Sequence, residues 1–253
     1  MTVALIESLR AACRDAGFDL AQPARVGAYN RVVEPSLRLE DFGNADHLVL
    51  VVGNTRALWP VLLGALARDP QLAAAPDPLD TYTERCLTPL VGALGVPASL
   101  RFAHDAGDRR IAIQRLAHVA GLAFLTDTHQ SVHATYGPWI ALRAAICVAT
   151  LGPPPSDPLA HPCGGCEGGC RPAFERALMT LDGAPSEQNL RTRWRLWLAC
   201  RDSCPIGREH RYSDAQIRYH YTRSRDVLSE AMAQTSASLE KCLPPVDPAQ
   251  RSR

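Results

Sequence analysis

The chain has 253 residues, 46% of them hydrophobic, and a formal net charge of +1 at pH 7. That length supports a sizeable core in one large or two small domains, and the near-neutral charge removes any demand for a polyanionic partner, so nucleic-acid binding is not favoured. No apolar run reaches the roughly 18 residues of a membrane span, and no basic-then-apolar leader opens the chain; a cytoplasmic protein with no membrane partner is expected.

In chain order, Ile6 to Ala16 has the spacing of a short amphipathic helix. His47 to Gly53 is a continuous apolar run, as a strand buried on both faces should be. Asn54 and Thr55 offer a cap for a helix from Leu58 to Ala67. Asp77 to Leu94 predicts another helix, with Pro78 tolerated in its first turn. Ser99 to His104 predicts a strand and Asp105 to Asp108 a turn. Ile111 to Leu125 carries apolar residues at helical spacing, and Ile140 to Leu151 is a central strand. The prolines from Gly152 to Pro162 force an extended crossing. Ser213 to Leu239 predicts one long helix. The composition changes after the crossing, which divides the chain into a core (1–155), a cysteine-rich cap with the last helix (156–242), and a disordered tail (243–253).

Nine cysteines are many for such a chain, and five of them fall between Cys163 and Cys204. Cys163, Cys166 and Cys170 form C-x2-C-x3-C, and Cys200 and Cys204 add C-x3-C followed by Pro205. Thiolates at this spacing let one loop wrap a soft metal, while intervening glycines permit the tight turns and leave N–H groups free for the sulfurs. The spacing leaves three readings open: one [4Fe–4S] cluster, a structural Zn²⁺ ion, or thiols without metal. The remaining four cysteines read as packing residues.

Three phrases occur in a fixed order: Val26-Gly-Ala-Tyr-Asn30, Leu116-Ala-His-Val-Ala-Gly121 and Arg211-Tyr-Ser-Asp-Ala-Gln216. With Gly137 to Arg143 and Trp194 to Trp197 between them, the chain resembles the CblC family of cobalamin-processing proteins, which are cyanocobalamin reductases and alkylcobalamin dealkylases. The resemblance spans roughly residues 20–225. It implies an α+β, nitroreductase-like fold with a mostly antiparallel sheet flanked by helices, and cobalamin held base-off against the sheet.

By that resemblance, Ala117, His118, Ala120, Gly121, His133 and Trp139 fall in the cobalamin-binding region. Read from the residues alone, the small side chains equally suit a tight helix–sheet contact, and His118 suits a core histidine rather than a cobalt ligand. Arg143 and Arg201 match arginines that hold glutathione above the corrin face, and Tyr212 matches a tyrosine near that face. The implied activity is reductive decyanation with reduced flavin from a partner reductase, or displacement of an alkyl group by glutathione or another thiol. Where the family has a tyrosine before the second arginine, this chain has Cys200.

The cysteine motifs resemble those of epoxyqueuosine reductases, which follow the same kind of core with iron–sulfur modules. The match is partial. The first motif lacks one cysteine and its C-P ending, and the second lacks its first cysteine. Alternative functions are therefore a cobalamin-dependent iron–sulfur reductase, or a passive cobalamin carrier whose cysteines hold zinc.

Overall fold

The computed structural model describes residues 2–155, 157–164, 166–181 and 187–242. The first half runs α1 (Thr2–Asp15), β1 (Leu20–Arg25), α2 (Val26–Asn30), β2 (His47–Asn54), α3 (Leu58–Arg68), α4 (Pro70–Ala74), α5 (Pro78–Gly92) and β3 (Ala98–Phe102). There follow α6 (Ile113–Val119), β4 (Phe124–Leu125), β5 (Ser131–Val132), β6 (Ala141–Leu151), α7 (Cys170–Leu178), α8 (Glu187–Thr192), α9 (Trp194–Asp202), α10 (Asp214–Thr222) and α11 (Arg225–Cys242). The tail expected from residue 243 onward lies outside the described residues.

Four strands pair in the order β1-β2-β6-β3, every pair antiparallel, and β4 with β5 forms a separate small hairpin. Side chains alternate across a strand, and β2 shows why its sequence is apolar throughout. Leu48, Leu50 and Val52 join Ala144, Ile146 and Val148 of β6 in one core, against α1, α3, α5, α10 and α11. Val49 and Val51 join Ala145 and Cys147 in a second core on the opposite face, against α2 and α6. Pro23, which cannot donate to a ladder, sits on the edge strand β1. Among the described residues no helix is long and apolar enough to cross a membrane.

Three expected elements take a different form. The helix expected over Ile111 to Leu125 ends at Val119. Gly121 adopts φ 77°, and the N–H groups of Gly121 and Leu122 close back onto the carbonyls of His118 and Ala117, a C-terminal cap that releases the chain into β4. The single helix expected from Ser213 is broken into α10 and α11 at Arg223, which is left-handed at φ 53°. Asn54 does not cap α3; its side chain holds Arg143 instead, and Thr55 Oγ1 accepts from the Ala57 N–H at 3.2 Å. By contrast, Asp77 caps α5 through the Asp80 N–H at 3.2 Å, with Pro78 in the first turn.

Helices α7, α8 and α9 pack on one another, and α10–α11 return to the first core through Tyr219, Val227, Leu228 and Ala231. The turn after α9 presses backbone to backbone on the approach to β6. A Cβ on Gly137 (φ 54°) would meet Ile206 O at 1.9 Å, and one on Gly207 (φ 68°) would meet Tyr136 C at 2.3 Å. Neither neighbour is a side chain able to swing away. Gly43 is also left-handed (φ 79°) but faces open space. Gly43→Ala should therefore cost only the left-handed strain of about 1–2 kcal/mol. Gly207→Ala should cost about 2 kcal/mol more, because backbone overlap adds to that strain. Urea midpoints followed by circular dichroism measure both; equal shifts would refute the account.

Candidate functional site

A cleft of about 740 Å³ opens between the end of the sheet where β6 begins, the β4–β5 hairpin and helices α7 to α10, a size in the usual range for ligand sites. Its floor is apolar: Ile113, Pro138, Ile140, Ala141, Leu142 and, from the helical side, Phe174 and Trp197. Charged groups then enter from several elements.

Arg143 arrives through an irregularity in the sheet. Val52 pairs with Ala144 and Gly53 with Leu142, so the register skips Arg143. A bulge of this kind re-aims a side chain. Its Nε donates to Asn54 Oδ1 at 2.7 Å, and its carbonyl accepts from Ala103 N–H. Burial, and then the Arg223 charge, push its pKa below the ordinary guanidinium value.

Arg201, on α9, is buried and donates to the carbonyls of Pro138 and Ile140. Its guanidinium lies 4.7 Å from the Trp139 ring centroid and 5.3 Å from that of Tyr212, within cation–π range. Among the described residues, no carboxylate oxygen comes within 4.0 Å of either Arg143 or Arg201. Arg223, the third guanidinium on the wall, is paired: 3.2 Å to Asp77 and 3.7 Å to Asp80.

His104 is held between Asp80 (3.5 Å) and Glu84 (2.9 Å) and stacks on Phe102. Burial raises the Asp80 pKa against the opposing pull of Arg223. His220 lies on α10 between the rings of Tyr212 and Tyr221. Burial, reinforced by Arg201, Arg143 and Arg223, depresses its pKa well below the usual imidazole value, so the ring is neutral.

Cys200 also faces the cleft. Gln130 Nε2 donates to its sulfur at 2.8 Å, and the thiol donates to Cys170 O at 3.3 Å. Burial, with Cys170 nearby, pushes its pKa up to about 11. Cys163, Cys166, Cys170 and Cys204 form a neighbouring group. Burial raises the Cys163 and Cys204 pKa values, and the nearby thiols add to both. Gly168 N–H donates to Cys166 Sγ at 3.3 Å. Even so, among the described residues no three cysteine, histidine or acidic side chains are arranged to hold one metal ion.

Of the residues singled out from sequence, Arg143, Arg201 and Cys200 line the cleft together. Tyr212 is buried beside it, its hydroxyl 3.5 Å from Asn54 O, and it borders a small void with Arg143 and His220. Trp139 is buried beneath Arg201. Ala117 and Ala120 are buried in the second core and do not line the cleft, which α6 reaches only through Ile113 and Gln114. His118 accepts the Leu125 N–H on Nδ1 and Gly121 ends α6. His133 caps its own turn, accepting the N–H groups of Thr135 and Tyr136 on Nδ1. Asp77, Asp80, His104, Gln130, His220 and Arg223 were not singled out. They come from helix caps, a hairpin and a helix break far apart in sequence, with no shared motif.

Gln130 Oε1, Ser131 Oγ and Trp197 Nε1, all on residues of the cleft wall, are buried and have no hydrogen-bond partner among the described residues. Unpaired buried polar atoms are costly; the cleft itself combines an apolar floor with the guanidiniums of Arg143 and Arg201, a mixed polarity that suits an apolar-faced disc with a polar edge, as a corrin is.

No family model matches the chain, and no curated protein matches it in sequence. Solved structures do. The chain is similar to a C. elegans B12-trafficking protein CblC, a human MMACHC homologue, at 17% identity, a TM-score of 0.64, and coverage of 90% of this chain and 95% of that one. It is also similar to the epoxyqueuosine reductase of Bacillus subtilis, at 13% identity, TM-score 0.51, and coverage of 84% and 68%. That of Streptococcus thermophilus matches at 11% identity, TM-score 0.50, and coverage of 94% and 82%. The chain has the CblC-like, nitroreductase-like α+β fold, with a mostly antiparallel sheet flanked by helices.

Proposed function

We propose that the cleft binds a corrinoid, with its nucleotide base detached from cobalt, and that the protein removes the upper axial ligand and carries the product onward in the cytoplasm. One observation carries this reading: two guanidiniums, Arg143 and Arg201, stand on a single cleft wall with no carboxylate oxygen within 4.0 Å among the described residues. The CblC-like fold adds support.

A bound corrinoid would bring the cobalt and its upper ligand. The protein's part is to seat the partner reagent. Guanidinium forks hold carboxylates bidentately, so Arg143 and Arg201 suit the carboxylates of glutathione or a similar thiol. Asn54 fixes Arg143, while Trp139 and Tyr212 fix Arg201. Tyr212 acts as a positioning residue, since its hydroxyl is turned to Asn54 O. The attacking thiol has to come from outside. At a pKa of about 11, Cys200 is almost wholly protonated near neutrality, and the thiolate is the nucleophile. For decyanation, reduced flavin from a partner reductase would supply electrons.

A second reading, a cobalamin-dependent reductase fed by a [4Fe–4S] cluster, or a carrier clipped by Zn²⁺, draws on the grouping of Cys163, Cys166, Cys170, Cys200 and Cys204. The described donors do not form a ready metal site, so no electron is routed through them.

Two tests follow. Losing one charged fork contact costs about 1.5–3 kcal/mol, so Arg143→Ala should raise the KM for glutathione in methylcobalamin dealkylation roughly 10- to 100-fold. The spectral change on adding hydroxocobalamin should persist in that variant; an unchanged KM would remove the carboxylate-binding role. Second, Cys200 should resist iodoacetamide at pH 7.5, where exposed Cys166 reacts, and become labelled only as pH climbs toward its raised pKa. Peptide mass spectrometry reads both sites, and equal labelling at pH 7.5 would reopen Cys200 as an internal nucleophile.

A further inference from the structure

Three histidines line the cleft among the described residues: His104, His129 and His220. His104 has its two nitrogens engaged by Asp80 and Glu84, and His129 stands exposed at the rim in a left-handed turn. His220 differs from both. It is half-buried on the wall that carries Arg143 and Arg201, and its ring makes edge contacts with Tyr212 (6.2 Å between centroids) and Tyr221 (5.1 Å). Among the described residues no hydrogen bond reaches either ring nitrogen.

A half-buried imidazole without a hydrogen bond is unusual, because buried polar groups are nearly always paired. The groups facing it are Arg201 on α9, Arg143 on β6, Tyr212 ahead of α10, and Tyr221 and Arg223 at the end of α10. Asp77 and Asp80, at the start of α5, engage Arg223 rather than the ring. The three guanidiniums keep the ring neutral, and a neutral imidazole retains one N–H to donate. A guanidinium cannot accept it. Positive surroundings with a spare N–H repel a cation and suit an anion. Placement adds to this: both Arg143 and Arg201 act on the His220 ring, so it stands within reach of the two forks that would seat carboxylates. Glutathione carries a carboxylate at each end and its thiol between them.

We propose that His220 donates its ring N–H to the sulfur of the incoming thiol and, with the guanidiniums around it, holds that sulfur as the thiolate. The assignment rests on the reading that Arg143 and Arg201 seat the carboxylates of a thiol. It goes beyond that reading by naming the group that prepares the sulfur for attack. The step is an ionisation alone: the S–H bond breaks, its electron pair stays on sulfur, and the proton leaves to water at the cleft mouth. The ring takes up no proton, which the surrounding cations would oppose, and its own N–H stays on nitrogen. A thiol next to cationic groups ionises more readily than in water, and a hydrogen bond to the charged form adds to the effect. Cys200 lacks this help, since its sulfur is engaged by Gln130 and Cys170.

The probe is glutathione labelled with ¹³C at the cysteine Cβ, mixed anaerobically with the full chain and no corrinoid. The ¹³C chemical shift of that carbon follows ionisation of the neighbouring sulfur, so a pH titration reads the acidity of the bound thiol without any turnover. In the natural protein the bound thiol should be roughly 100-fold more acidic than free glutathione. In His220→Phe glutathione should still bind through its carboxylates while roughly tenfold of that acidity is lost, the size of one hydrogen bond to a charged group. His220→Gln keeps an N–H donor and should retain most of it. A bound thiol of ordinary acidity in the natural protein, or full acidity surviving in His220→Phe, overturns the assignment and leaves the carboxylate seats standing. A ¹³C signal unchanged by the natural protein at every pH means that glutathione does not bind, which overturns the thiol reading as well.

Discussion

A guanidinium buried without a carboxylate has to be held by other means, and Arg201 is held by carbonyls and π-faces. Pro138 and Ile140 supply the carbonyls, Trp139 and Tyr212 the rings. These four residues belong to the approach to β6 and the segment ahead of α10, whereas Arg201 rides on α9. The one side chain thereby fixes α9 to the segment that leads into β6. The backbone contact between Gly137 and Gly207 tightens the same joint from the other side of α9. Cleft geometry depends on it, because Trp197, Cys200 and Arg201 reach the wall only where α9 is seated.

Arg143 meets the cleft by a separate route that converges on the same joint. Asn54 accepts from Arg143 through its side chain, and its carbonyl lies 3.5 Å from the Tyr212 hydroxyl. A bulge in β6, the end of β2 and the segment before α10 thus share one polar node. Both unpaired arginines are tied to Tyr212, one through Asn54 and one through its ring. That coupling makes Tyr212 the shared support of the charge pattern.

The sequence made the strands legible because burial on both faces leaves no polar positions: His47 to Gly53 and Ile140 to Leu151 could be little else. Asp77 with Pro78 was legible as a helix start because cap and first-turn chemistry are local. What failed was also local in cause. Gly121 ends α6 within a stretch whose apolar spacing continues to Leu125, and Arg223 breaks a helix without glycine or proline. Asn54 has good capping chemistry, but a charged partner from β6 outbids the backbone for it. Arg143 and Arg201 stood out only through resemblance to a family. His220 and the Asp77–Asp80–Arg223 group carried no signal, since their meaning arises from a helix break and a cleft that no spacing encodes.

The charge pattern of the wall links ligand and stability. Arg223 is neutralised by Asp77 and Asp80, so its energy changes little when the cleft fills. Arg143 and Arg201 are not, and desolvated charges without counter-ions are costly even when carbonyls and rings offset part of it. In the proposed site, an anionic group would supply the counter-ion they lack. Whatever binds there binds the folded chain alone and stabilises it by mass action. On the proposed reading the same two residues would serve recognition and stability at once, their cost in the unliganded protein becoming the source of their affinity for the ligand.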